Sequence, residues 1–364
     1  MKKRITFVIG TRPELIKVSK VVNYLKSQNR FKVSLISSQQ QVKLLKQNMS
    51  NEDEIDLFLN IKSKKSDQDF ISKLLICLDI EFKKKPSEYI FVQGDTSTAF
   101  ASCLYGFLNK IPVIHLESGL RTFDNQSPWP EEFYRQSIAK MADIHLSPTE
   151  ISKLNLINEG IKKEKIFIVG NPGIDNFVDN LIKIRSKKLE NDKTILITMH
   201  RRESLYGDLQ KFCINLKKFI KKNKEIRFLW PIHTNPKVVN IVKDNFTDLK
   251  HKNIKFLKPL RYLDFIDLLQ QSSFVITDSG GVQEEAAYLG KPILIARDKT
   301  ERVEIINLNL GKIIFADGRK LEQAFNYFIR NPLKKNKINR WKKIQGLGKS
   351  SLKINKILDT ILLN

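Results

Sequence analysis

The stretch that most constrains this chain runs from Phe274 to Ala296. It reads as a buried strand (Phe274 to Thr277), a turn carrying Asp278, Ser279, Gly280 and Gly281, a short helix, and a second strand from Pro292 to Ala296. Glycines at a strand-to-helix turn let backbone come close to a ligand, and a helix N-terminus presents unpaired N–H groups to an anion. Ser279-Gly280-Gly281 is therefore a candidate diphosphate cradle, and Glu285, about one turn into the helix, can accept hydrogen bonds from a ribose. The same glycines can also do no more than tighten a turn. The rest of the chain has to decide between the two readings.

It repeats the pattern. Ile5 to Ile9, Phe31 to Ile36, Tyr89 to Val92, Pro112 to Leu116, Ile144 to Leu146 and Ile166 to Val169 are short apolar runs, alternating with segments of helical spacing such as Leu15, Val18, Val22 and Leu25. After the turn cluster Gly170-Asn-Pro-Gly173 the alternation begins again, with strands at Thr194 to Thr198, Arg227 to Trp230, Ile254 to Leu257, Phe274 to Thr277, Pro292 to Ala296 and Lys312 to Ala316. Runs without polar alternation suit parallel strands covered on both faces. The expected fold is α/β, with two Rossmann-like doubly wound parallel sheets and a domain boundary beside Gly170.

In such sheets ligands bind beyond the carboxyl ends of the strands. Arg12, Asp95, Glu117, His200, His233, Ser279 and Arg302 all fall just past a predicted strand end. One cleft, with both domains turning that edge toward it, explains the placement. The first half supplies Asp95, Glu117 and Glu131; the second supplies His200, Arg201, His233 and Arg302. Clustered carboxylates repel, so one of them is expected to have a raised pKa and to act as a general acid or base near neutrality. The loop Ser127-Pro-Trp-Pro-Glu131 is expected to be extended and to present its carboxylate rigidly.

Other classes fit less well. The formal charge of +25 invites a nucleic-acid reading, but the lysines are scattered without interleaved aromatics, so no nucleic-acid partner is expected. No His-x-x-x-His pair supports a metal. The three cysteines show no paired spacing, which points to a reducing, cytoplasmic setting. No apolar run approaches a membrane span or a signal peptide core. There is no nucleophile elbow, Walker loop or dinucleotide fingerprint.

Seven motifs carry a resemblance. Gly10-Thr-Arg-Pro-Glu-Leu-Ile-Lys17, Gln93-Gly-Asp-Thr-Ser-Thr98, His115-Leu-Glu-Ser-Gly-Leu-Arg121, Ser127-Pro-Trp-Pro-Glu-Glu132, His200-Arg-Arg-Glu-Ser204, Thr277-Asp-Ser-Gly-Gly-Val-Gln-Glu-Glu285 and Thr300-Glu-Arg302 stand in order over nearly the whole chain. Together they resemble the non-hydrolysing UDP-N-acetylglucosamine 2-epimerases. The resemblance implies a GT-B fold with a Rossmann-like domain over 1–170, a UDP-binding domain over 171–348, and a helix over 349–364 returning to the first domain. It implies interconversion of UDP-GlcNAc and UDP-ManNAc through a 2-acetamidoglucal, without metal or cofactor, in a homodimer that supplies sugars for cell-surface polysaccharide. Asp95, Glu117, Glu131 and His200 match the catalytic group. Arg12, Lys17, His233, Phe265, Ser279, Gly280, Gly281, Glu285 and Arg302 match positions that hold UDP, with Phe265 packing on the uracil. Glu132, Arg135 and Arg201 are candidates for supporting those residues or only the fold.

Three departures stand out. Gln39-Gln40-Gln41-Val42-Lys43 replaces the usual Gln-His-Arg-Glu-Met that helps bind a regulatory UDP-GlcNAc, so weak or absent activation is expected. Leu260 stands where a uracil-contacting glutamine is usual, and Gly346-Leu-Gly-Lys-Ser-Ser351 replaces Gly-Asp-Gly-x-Ala. These leave open a 2-epimerase of a related UDP-2-acetamido sugar, such as a 2,3-diacetamido uronate. A GT-B glycosyltransferase or a regulatory nucleotide-sugar binder are the alternatives from other classes.

Overall fold

The computed structural model describes residues 2–40, 55–61, 66–184, 193–199, 208–232, 236–247 and 253–363. Two compact units divide it, Met1–Asn176 with Ile344–Asn364, and Phe177–Lys343. Each is built on one parallel sheet.

In the first unit the strands are β1 (Arg4–Ile9), β2 (Lys32–Ser37), β3 (Leu57–Phe58), β4 (Tyr89–Gln93), β5 (Val113–Leu116), β6 (Ile144–Ser147) and β7 (Ile166–Ile168). Their order across the sheet is β3-β2-β1-β4-β5-β6-β7, so the winding reverses between β1 and β4. In the second unit they are β8 (Thr194–Thr198), β9 (Arg227–Pro231), β10 (Ile254–Leu257), β11 (Phe274–Thr277), β12 (Ile293–Ile295) and β13 (Gly311–Ile313). Here the order is β10-β9-β8-β11-β12-β13, with the reversal between β8 and β11. Both sheets are the doubly wound type that the apolar runs predict, and both place a crevice at the strand ends where the winding turns.

The apolar runs are buried because helices cover both faces. One face of the first sheet packs Phe7, Ile9 and Phe91 against helix Arg12–Gln28 and helix Ser350–Leu362, which contributes Ile354, Leu358 and Leu362. The other packs Val8, Ile90 and Val92 against helices Asp67–Lys84 and Ser97–Leu108. In the second unit Trp230, Phe228, Phe212 and Phe219 centre the core. No helix among the described residues is long and apolar enough to cross a membrane.

The helix at Ser350–Leu362 is tied down at its start. Asp175 accepts from the Ser350 N–H at 3.0 Å, the Ser351 N–H at 2.7 Å and the Ser351 hydroxyl at 2.8 Å. The Asn171 N–H donates to the Gln345 carbonyl at 3.3 Å. Gly170 has φ +83°, and a Cβ there would stand 2.9 Å from the Gly346 Cα. Only glycine permits that approach.

Two elements stand where the sequence is not read as strand or helix, and one expectation is corrected. The two-residue strand Leu57–Phe58 lies in a segment whose polarity hid it. The lysine-rich run near the end of the second unit is a helix, Lys335–Ile344, anchored by buried Trp341, whose indole N–H donates to the Glu284 carbonyl at 3.3 Å. The proline-rich loop is not extended. The Ser127 N–H donates to the Asp124 carbonyl at 2.8 Å, the Thr122 hydroxyl to the Ser127 carbonyl at 2.5 Å, and helix Glu131–Met141 starts at once. Compact hydrogen bonding there outweighs the extended preference of residues that precede proline.

Candidate active site

At the end of β1 the chain turns sharply through Gly10 and Thr11 into the helix that begins with Arg12. A Cβ on Gly10 would lie 2.1 Å from the Thr98 hydroxyl and 2.6 Å from that of Ser38, so the packed strand ends leave no room for a side chain. Thr11 and Glu14 form a capping box. Glu14 is buried, and its Oε2 accepts from the Gly10 N–H at 3.1 Å, the Thr11 N–H at 2.8 Å and the Thr11 hydroxyl at 2.7 Å. Its Oε1 accepts from the Thr96 hydroxyl at 2.8 Å. Burial pushes this carboxyl up to about 7 against the pull of those four donors.

β4 is followed by Gly94, with φ +69°, and then by Asp95. The carboxylate of Asp95 pairs with Arg135, which also reaches Glu132 at 3.2 Å. Glu132 is fully buried and holds the Thr122 and Phe123 N–H groups, each at 3.1 Å. It therefore anchors the loop, while Arg135 bridges that anchor to Asp95. Glu131, one residue earlier, is half-buried in the first turn of its helix.

β5 is followed by Glu117, which has φ +68°. A left-handed conformation in a non-glycine residue persists only where its surroundings hold it, and such strain concentrates at functional sites. The Glu117 N–H donates to the Leu146 carbonyl at 3.0 Å. Its carboxylate takes the Lys17 ammonium at 2.6 Å and the Gln93 side-chain amide. Behind it stand two buried histidines on paired strand positions, His115 and His145. His115 Nε2 is 2.9 Å from the Gly94 carbonyl, and His145 Nδ1 is 3.0 Å from the Ser118 hydroxyl. Burial lowers them to about 4 and about 3, so both rings are neutral at physiological pH.

The first unit thus gathers Arg12, Lys17, Asp95, Glu117 and Glu131 at the carboxyl edge of its sheet. Sequence reasoning missed Glu14 and His115 and left Arg135 undecided. The Thr-x-x-Glu spacing of a capping box was a readable signal for Glu14; nothing in the sequence pairs Arg135 with Asp95.

In the second unit the Thr198 and Thr277 hydroxyls bond at 2.7 Å across the reversal point. Ser279 caps helix Gly280–Tyr288, and its own N–H donates to the Thr277 hydroxyl at 3.0 Å. Neither following glycine has positive φ, so the backbone does not require them. Gly280 has a steric reason, since a Cβ would stand 2.8 Å from the Arg302 guanidinium carbon. Gly281 faces open space. Arg302 is buried against Glu284, at 2.9 Å, and Glu301. Glu285 accepts from the Tyr262 hydroxyl at 2.6 Å, and Phe265 lies half-buried on helix Tyr262–Gln271. His200 and His233 lie outside the described residues.

Each unit therefore has its own chemistry. The first presents carboxylates beside cations, suited to moving a proton. The second presents capped backbone N–H groups at a helix N-terminus, suited to an anion.

The family model for UDP-N-acetylglucosamine 2-epimerase matches residues 23–359. A relative from Neisseria meningitidis named UDP-N-acetylglucosamine 2-epimerase is 34% identical over 375 residues, covering 99% of this chain and all of its own. The relative of that name from Bacillus subtilis is 34% identical over 361 residues, 97% of this chain and 94% of its own. Among solved structures, the Neisseria meningitidis UDP-GlcNAc 2-epimerase bound to UDP-GlcNAc superimposes with TM-score 0.88 at 32% identity, over 99% of this chain and 100% of that one. The Methanocaldococcus jannaschii enzyme in complex with UDP-GlcNAc and UDP gives 0.85 at 31%, over 98% and 99%. With two doubly wound parallel sheets of the GT-B type and likeness across almost its whole length, the chain belongs to the UDP-N-acetylglucosamine 2-epimerase family.

Proposed function

We propose that this protein is an isomerase that interconverts UDP-GlcNAc and UDP-ManNAc by elimination and re-addition of UDP. The observation that carries the reading is the pair of acids at neighbouring strand ends, Asp95 against Arg135 and Glu117 against Lys17. A base removes the proton on carbon 2, the carbon 1–oxygen bond to UDP breaks, and the electron pair between the carbons forms the double bond of 2-acetamidoglucal. Protonation of carbon 2 on the other face and return of UDP to carbon 1 give the epimer. The reaction needs an acid or base on each face, and Asp95 and Glu131 are assigned those roles.

The cations do two things in this scheme. Arg135 keeps Asp95 oriented, as a charge-assisted pair does. Lys17 joins Glu117, which orients its neighbours, to the diphosphate that leaves. Arg12 and His200 stabilise that leaving charge. Ser279, Gly280 and Gly281 receive phosphate oxygens at the helix N-terminus, with His233 and Arg302 beside them. Glu285 takes the ribose hydroxyls and Phe265 the uracil face. The resident setting is the cytoplasm, the assembly a homodimer, and the product a precursor for cell-surface polysaccharide.

Incubation with UDP-GlcNAc in deuterated buffer, followed by proton NMR, tests the reading. UDP-ManNAc with deuterium at carbon 2 is the expected product. UDP release that depends on an added acceptor, with no free UDP-ManNAc, would establish a glycosyltransferase instead. Leu260, where the family usually has glutamine, makes a second substrate worth testing in the same assay. A tenfold or greater preference for a UDP-2,3-diacetamido uronate would move the assignment to that sugar, on the scale of about one hydrogen bond's worth of discrimination.

A further inference from the structure

Two buried titratable side chains have no part in the scheme above, yet both grip the same three-residue turn. Asp95 sits between Gly94 and Thr96 at the end of β4. From the β1 side, Glu14 accepts from the Thr96 hydroxyl at 2.8 Å, and that hydroxyl accepts in turn from the Ala99 N–H at 3.1 Å. From the β5 side, His115 Nε2 lies 2.9 Å from the Gly94 carbonyl. A carbonyl can only accept, so the ring proton is on Nε2. The Gly94 N–H is also engaged, with the Leu116 carbonyl at 3.0 Å. The polar groups flanking Asp95 are thus committed to the protein interior, while its own side chain, paired with Arg135, is 29% exposed. Glu14 does more than hold one end, because its other oxygen fixes Gly10 and Thr11 immediately before Arg12.

We propose that Glu14 and His115 are positioning residues that fix the Gly94–Asp95–Thr96 turn from the strands on either side of β4 and so set the reach of the Asp95 carboxylate to the reacting carbon. The inference rests on the assignment of Asp95 to proton transfer. A turn with φ +69° at Gly94 has a glycine's freedom to swing, and a carboxylate displaced by about 1 Å loses roughly a hundredfold in rate. Two buried anchors in place of one remove that freedom. The link to Glu14 survives either protonation state of the carboxyl, since the Thr96 hydroxyl can donate to a carboxylate or accept from an acid.

Paired variants of the full-length protein test this. Thr96→Val and His115→Leu remove one anchor each; Thr96→Ser and His115→Gln restore a hydroxyl and a donor at the position of Nε2. Deuterium incorporation at carbon 2 of UDP-GlcNAc gives kcat and KM, with thermal unfolding as a fold check. Thr96→Val and His115→Leu are expected to lower kcat roughly a hundredfold with KM within about threefold, and the Ser and Gln variants to recover most of the loss. Wild-type kcat in both apolar variants would overturn the proposal, as would losses that track unfolding and are not rescued. Because Thr96 also caps its helix, His115→Leu decides alone if Thr96→Val does not fold. Asp95→Asn, measured in parallel, separates the two ideas. If it abolishes exchange while the anchor variants stay at wild-type kcat, the positioning role fails and Asp95 keeps its assignment. If exchange survives in Asp95→Asn, the assignment itself fails.

Discussion

The two units share a topology and differ in how far their paired charges are buried. Beyond the strand ends of the first sheet, acids stand partly exposed, each matched by a cation from a helix: Asp95 by Arg135, Glu117 by Lys17. In the second, cation and acids are buried together, with Arg302 held between Glu284 and Glu301, and the groups left partly exposed are the Ser279 cap and Gly281. One edge is arranged around ionisable groups that meet solvent. The other locks its charges inside and offers dipoles. The same crevice can therefore be specialised for proton transfer or for anion binding without a change of fold.

That contrast can be broken at both ends. Asp95→Asn is expected to lower kcat for carbon 2 exchange by about a thousandfold, the scale of general acid–base catalysis, and to change the unfolding midpoint little, because Asn keeps an oxygen that accepts from Arg135. Steady-state NMR rates beside a urea titration check both halves. The second unit should answer in the opposite way. Arg302→Met strands buried carboxylates and is expected to destabilise by about 3–5 kcal/mol, read as a lower urea midpoint. A stable Arg302→Met protein with weak UDP binding would show that the arginine serves the ligand more than the fold.

A third test uses pH. His115 and His145, lowered by burial to about 4 and about 3 from an ordinary 6.5, stay unprotonated when folded and take protons when unfolded. Their contribution is present above 6.5 and is lost as pH falls toward those values. Glu14 runs the other way: raised by burial from 4.5 to about 7, it keeps its proton when folded, so its contribution is present below 4.5 and is lost as pH rises through 7. Between 6.5 and 4.5 the histidines make acid destabilising and Glu14 opposes them. Glu14→Gln removes the opposition, so the loss of stability in that window should steepen by about 1.4 kcal/mol per pH unit. Urea midpoints at the two ends of the window measure it.

The smallest effect sharpens the anion side. Gly281→Ala adds a methyl into open space and should leave stability intact, while UDP affinity by calorimetry falls roughly tenfold as the methyl meets the ligand. Unchanged affinity would place the diphosphate elsewhere. Gly280→Ala should instead disturb Arg302.

How much of this was readable before the fold was known varies with the kind of signal. Strand positions were legible because parallel strands covered on both faces need uninterrupted apolar runs: Thr194–Thr198 and Phe274–Thr277 fall where the sequence places them. The two-residue edge strand Leu57–Phe58 is too short to leave a pattern. Helix Lys335–Ile344 was hidden because Trp341 and two isoleucines stand among four lysines, an arginine and two asparagines. At the site, motif position brought out Asp95 and Glu117, but partner choice was not legible. That Arg135 reaches back to Asp95 depends on a compact turn where prolines suggested extension.

The tie between Asp175 and Ser350–Ser351 has a consequence for the order of synthesis. The first unit is discontinuous: its sheet is translated before the second unit, and the helix Ser350–Leu362 that covers part of its core is translated after it. While the ribosome is making residues 177–343, the face that Ile354, Leu358 and Leu362 will cover has no partner, and Asp175 waits with its three donors still unmade. A nascent chain stalled in that interval is the form most exposed to aggregation and to chaperones. Moving the helix to the front by circular permutation would shorten the wait without altering a contact.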